Sequence, residues 1–66
     1  MAILETHFEN RRFLIEEDMT EIGTYLRIFE DDRDTHDYLQ DSVEDCKEFA
    51  EEEFGVPTDS WTILRV

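Results

Sequence analysis

The combination in this sequence that comes nearest to nucleophilic catalysis is Cys46 with His36 or His7 as its base. A reactive thiolate needs exposure and an electropositive neighbourhood. Cys46 instead falls on a run of apolar residues at helical spacing, and its close neighbours Glu44, Asp45 and Glu48 are acids. The expectation is a buried, structural cysteine. A second combination, "EDDRDTHD", brings carboxylates and an imidazole together as a metal site would. Laid against a calcium loop, Glu30, Asp32, Asp34 and Asp41 fall at positions 1, 3, 5 and 12. Thr35 then occupies the position that requires glycine for the sharp turn, and position 12 should be glutamate. The match fails where the geometry is strictest, and a solvated acidic turn is expected.

Other routes to catalysis are no better supplied. Acid–base work by two carboxylates needs environments that split their pKa values, and no pair stands out among 19 Asp and Glu spread over a small surface. Ser42 and Ser60 lack the context of a nucleophile elbow, and two glycines do not make a phosphate loop. The expectation is a protein that is not an enzyme, with no cofactor and no metal.

Charge narrows the partners. Against the 19 acids stand six Lys and Arg, a formal net charge of −13. Such a surface favours basic proteins and repels nucleic acid phosphates or anionic membranes, which are held by clustered Lys and Arg. Direct contact with nucleic acid or membrane is therefore not expected. The length allows one domain, residues 1–66, with a small core. One cysteine rules out an internal disulfide, and "MAILETHFENRR" has neither a basic leader nor an apolar run of signal-peptide length, so the cytoplasm is the default expectation.

The elements that position these residues follow from pattern. Phe13, Leu14 and Ile15 form a β-prone run, and "ENRR" before them offers a turn back onto residues 3–8. "TYLRIF" after Gly23 is the clearest strand, and "DDRD" leads into "THDYLQ". A tight turn centred on Asp32 and Arg33 would pair residues 25–30 with 35–40. It would place Leu26, Ile28 and Leu39 on one face, and Tyr25, Arg27, Phe29, His36 and Tyr38 on the other.

Asp41 or Ser42 caps a helix whose stripe is Val43, Cys46, Phe49, Ala50 and Phe54, with Gly55 and Pro57 as its stop. "VPTDSWTILRV" after the stop, with Trp61, Ile63 and Leu64, adds a short strand, drapes across an edge of the core, or has Thr58 or Asp59 cap a last turn of helix around Trp61. The predicted fold is α+β: an antiparallel β-meander of three strands, or four, with residues 3–8 and 61–65 both open as strands, and one C-terminal amphipathic helix packed on one face.

Two surfaces then emerge as candidates. Glu44, Glu48, Glu51 and Glu52 make an outward acidic strip on the helix, either a solvated face or a surface complementary to a basic protein. In the second case the chain acts as a non-enzymatic binding module, and carboxylates placed where phosphates would sit would inhibit a nucleic-acid-binding protein. The sheet face away from the helix, with Tyr25, Arg27, Phe29, His36 and Tyr38, is rich in residue types that dominate interfaces. Its alternative role is self-association, in a small homo-oligomeric structural protein whose charge serves solubility.

Overall fold

The computed structural model describes residues 1–18 and 23–66, and residues 19–22, part of the expected acidic connector, lie outside the described residues. Six elements follow one another: β1 (Ile3–Phe8), β2 (Arg11–Asp18), β3 (Gly23–Glu30), β4 (Arg33–Gln40), α1 (Val43–Phe54) and β5 (Thr62–Arg65). The strands form one antiparallel sheet in the order β4-β3-β2-β1-β5. The fold is therefore α+β as expected. The sheet has five strands rather than three or four, and of the alternatives for the tail after the helix the strand is the one formed.

Both described hairpins turn through two residues with positive φ: Glu9 and Asn10 (51° and 64°), and Asp31 and Asp32 (51° and 63°). Left-handed pairs of this kind match the right-handed twist of the flanking strands, and Asn and Asp tolerate them better than most residues. The second turn is thus centred on Asp31 and Asp32, one position before the expected Asp32 and Arg33.

That shift alone would have preserved the expected faces. A β-bulge does not. Glu30 pairs with Arg33 and Phe29 with Asp34, but Ile28 pairs with His36, which leaves Thr35 as an extra residue on β4. Its hydroxyl donates to the Ile28 carbonyl at 3.1 Å. Because side chains alternate with period two, one extra residue inverts every later position. Tyr38 lies opposite Leu26 and His36 opposite Ile28, so both belong to the helix side of the sheet. Leu39 lies opposite Tyr25 on the outer side, where it is 58% exposed. The placement of His36 and Tyr38 on the outer face, and of Leu39 with Leu26 and Ile28, is corrected accordingly.

The helix forms as its sequence signals require. Ser42, with extended backbone, is the N-cap, its Oγ accepting from the Asp45 N–H at 3.1 Å. Gly55 ends it at φ 78°, a conformation that favours glycine, and the Gly55 and Val56 N–H groups donate to Glu51 and Ala50 carbonyls at 2.9 and 3.2 Å. The expected stripe faces the sheet: Cys46 and Ala50 are fully buried, with Val43, Phe49 and Phe54 packed around them. Opposite lie Leu4, Phe13, Ile15, Leu26 and Ile28, and Val56 completes the core.

Tyr38 reaches across from β4 to bind helix to sheet, its ring 4.7 Å from Phe49 and 6.3 Å from Phe54. The helix packs over β4, β3 and β2, and residues 55–61 complete the passage to the far edge, where β5 pairs with β1. Trp61, just before β5, packs on the core, so the tail is a strand with an anchored aromatic at its start.

Cys46 lies at the centre of this interface, its thiol 3.7 Å from the Thr24 carbonyl. Burial, with the adjacent Asp45 charge, pushes its pKa up to about 12. A thiol reagent at neutral pH is expected to leave native protein unlabelled and to modify Cys46 only at the rate of unfolding. Rapid labelling under native conditions, read by mass spectrometry, would contradict this packing.

Candidate binding surfaces

Helix geometry settles the position of the acidic strip. With Cys46 and Ala50 turned to the core, Glu44, Glu48, Glu51 and Glu52 are all exposed. Glu44, Glu48 and Glu52 recur every four residues and so form one row along the outer side. No basic residue lies in the last turn, while Glu51, Glu52 and Glu53 stand there against the negative end of the helix dipole. Each like-charge pair at this spacing destabilises a helix by about 0.2–0.5 kcal/mol. The row therefore weakens the element that carries it.

The outer sheet face has a different character. Register brings His7, Arg12, Phe29 and Asp34 into one row across β1 to β4, Glu5, Leu14, Arg27 and Asp37 into a second, and Ile3, Glu16, Tyr25 and Leu39 into a third. On β5, Thr62 and Arg65 extend the second and third rows. Of the residues expected here, Tyr25, Arg27 and Phe29 are present and His36 and Tyr38 are not.

Ion pairs hold the face in shape. Arg12 pairs with Glu5 and lies 5.5 Å over the Phe29 ring. Arg27 Nε sits 3.2 Å from Glu16 Oε1, not aligned for a hydrogen bond, with its guanidinium 5.7 Å over the Tyr25 ring. At the β4 end, partial desolvation and the neighbouring Asp37 charge raise the Asp34 pKa. Glu5, Arg12, Leu14 and Glu16 were not anticipated as site residues. Alternation along 12, 14 and 16 is visible in the sequence, but their partners depend on β1 joining the sheet.

Charge is thus divided between the two sides. By register the outer face carries Arg12, Arg27 and Arg65 against Glu5, Glu16, Asp18, Asp34 and Asp37, a smaller excess of acid than on the helix side. Most of the −13 lies elsewhere, with seven acids and one lysine in residues 41–55.

An open hollow of about 840 Å³ at the hairpin tips is lined by His7, Arg11, Arg12, Phe29, Asp31 and Asp32 among others. Its arginines already have partners: Arg11 is 3.8 Å from Glu9 and lies over the Phe54 ring, and Arg12 is paired with Glu5. Among the described residues no three His, Cys, Asp or Glu side chains converge as metal ligands. The calcium-loop pattern is pulled apart by β4, which separates Asp32 from Asp41 by eight extended residues, about 26 Å.

No helix among the described residues is long and apolar enough to cross a membrane. Compared with protein-family models, curated protein sequences and solved structures, the chain shows no match.

Proposed function

We propose that the chain is a non-enzymatic binding module whose acidic helix side engages a basic protein surface. The observation that carries this reading is the row Glu44, Glu48 and Glu52, with Glu51 beside it, exposed at like-charge spacing on a helix whose last turn, at the negative end of the dipole, holds Glu51 and Glu52 and no base. Solubility does not require acids to be aligned at unfavourable spacing. Recognition of a basic surface gains from such alignment, because complementary charges raise the encounter rate and reject acidic partners. A rigid row of carboxylates also resembles the line of phosphates along a nucleic acid, and so suits a partner that normally binds one.

The test uses the immobilised chain against cell lysate at low and high salt, followed by kinetics with the captured protein. Glu48→Gln with Glu52→Gln is expected to slow association roughly tenfold and flatten its salt dependence. The same variant is expected to be as stable as the parent or more so, by about 0.5–1 kcal/mol, as repulsion along the row falls. Duplex DNA is expected to compete with the chain for its partner. Unchanged association rates would reduce the strip to solvated surface, and simultaneous binding of DNA and chain would eliminate phosphate mimicry.

A further inference from the structure

The outer sheet face offers a second copy of this chain a place to approach, and we propose that two copies pack through it about a two-fold axis, with their acidic helices turned to opposite ends. The proposal is independent of the helix-side reading, since it uses the other side of the sheet. Three observations carry it.

The first is charge. A chain at −13 repels its own copy, yet the outer face gathers three of the six Lys and Arg against five acids by register, a small part of the total excess. It carries charges of both signs, and in a two-fold interface the same patch meets itself, so an axis along β2 would set β1 Glu5 of one copy toward β3 Arg27 of the other. Two sheets stacked face to face lie about 10 Å apart, which puts the helices on their far sides roughly 30 Å apart, several Debye lengths at about 0.15 M salt.

The second is composition and order. Ile3, Leu14, Tyr25 and Phe29 are half-buried and Leu39 is exposed, giving apolar area for a partner. Arg12 and Arg27 are already held over Phe29 and Tyr25 by their glutamates, so little side-chain freedom is lost on association.

The third is area. Five strands at about 4.8 Å spacing and about 3.3 Å per residue give a planar footprint of roughly 500–600 Å² per copy. A side-chain surface exceeds its planar footprint, so the face approaches the roughly 800 Å² per partner of a standard interface.

Sedimentation velocity on the purified chain at about 0.01 M and about 0.15 M salt tests this. The expected result is a reversible association from 8.0 kDa to twice that mass that strengthens as salt is added, because salt screens repulsion between the acidic bodies. Binding of a basic partner to the helix side weakens with salt, so the two reactions respond in opposite directions. Leu39→Glu is expected to weaken self-association at least roughly tenfold, with its far-UV circular dichroism unchanged, whereas Glu48→Gln with Glu52→Gln leaves it intact or tighter.

A dilution series of wild-type amide chemical shifts gives a readout that needs no variant. Changes are expected at Leu14, Tyr25, Arg27, Phe29 and Leu39 and not on the helix. A monomer at both salt concentrations, association that weakens with salt, or shifts confined to the helix or the β5 edge would overturn the proposal.

Discussion

Phe13→Ala is expected to leave the chain largely unfolded at 25 °C, while Phe29→Ala leaves it folded. The two rings sit on neighbouring strands of one sheet but on opposite faces. Phe13 is fully buried between Thr6 of β1 and Ile28 of β3, with its ring 5.6 Å from Phe54 of the helix. Removing a buried phenyl ring costs about 3–5 kcal/mol, part of it from the cavity left behind. A domain of 66 residues has roughly 3–10 kcal/mol of stability in total, and one with this charge belongs at the lower end.

Phe29 faces outward and keeps part of its surface in water, with the Arg12 guanidinium over its ring. Its loss is expected to cost only about 1 kcal/mol. Urea denaturation at low protein concentration distinguishes the cases. Equal destabilisation would place Phe29 in the same core as Phe13 and undo the separation of sheet faces.

The second large effect is electrostatic. Only three ion pairs join Arg to acids among the described residues, Arg11–Glu9, Arg12–Glu5 and Arg27–Glu16, so most of the 19 acids meet repulsion rather than a partner. Raising monovalent salt from about 0.01 M to about 0.15 M shortens the Debye length from about 30 Å to about 8 Å. The melting temperature is expected to rise, by about 4–8 °C for each kcal/mol of repulsion relieved in a domain of this size.

Mild acidification acts in the same direction. The Asp34 pKa in the folded chain lies above its ordinary value of 3.8, through partial desolvation and then the Asp37 charge. A raised folded-state value means that the native form holds its proton more tightly than the unfolded chain. The resulting stabilisation is complete below the ordinary value and is lost as pH rises through the raised one. Lowering the pH from 7 toward that range therefore stabilises, and Asp34→Asn is expected to stabilise at neutral pH and to reduce this pH dependence. Calorimetry across salt and pH checks both. A melting temperature that stays flat or falls would mean that the acids are compensated by partners already in place.

Features legible in the sequence are those whose signals lie within a few residues of one another. Ser42 before an acidic first turn, Gly55 and Pro57 after Phe54, and five apolar residues at helical spacing locate the helix and its buried side without further information. The outward positions of Glu44, Glu48, Glu51 and Glu52 follow once that side is known. The burial of Cys46 follows in the same way, from its place on the stripe. Likewise Tyr25, Arg27 and Phe29 had to share a face, since they alternate on a single strand.

What only the tertiary structure decided is how strands meet. The sequence of β4, Arg-Asp-Thr-His-Asp-Tyr-Leu-Gln, has no alternation strong enough to choose a face, and the choice was made by a bulge at Thr35 that its own spacing does not announce. That single extra residue sent Tyr38 inward to pack on Phe49 and Leu39 outward beside Tyr25. Residues 3–8 and 62–65 likewise became strands because each had a neighbour to pair with. The β5 position beside β1 depended on the helix together with residues 55–61 bringing the chain to that edge. Capping and helical periodicity are local, enforced by bonds and contacts within one or two turns. Register is a contest between distant segments, in which a shift of one residue exchanges an entire face. The acidic helix side was therefore readable from the chain alone, and the makeup of the outer sheet face was not.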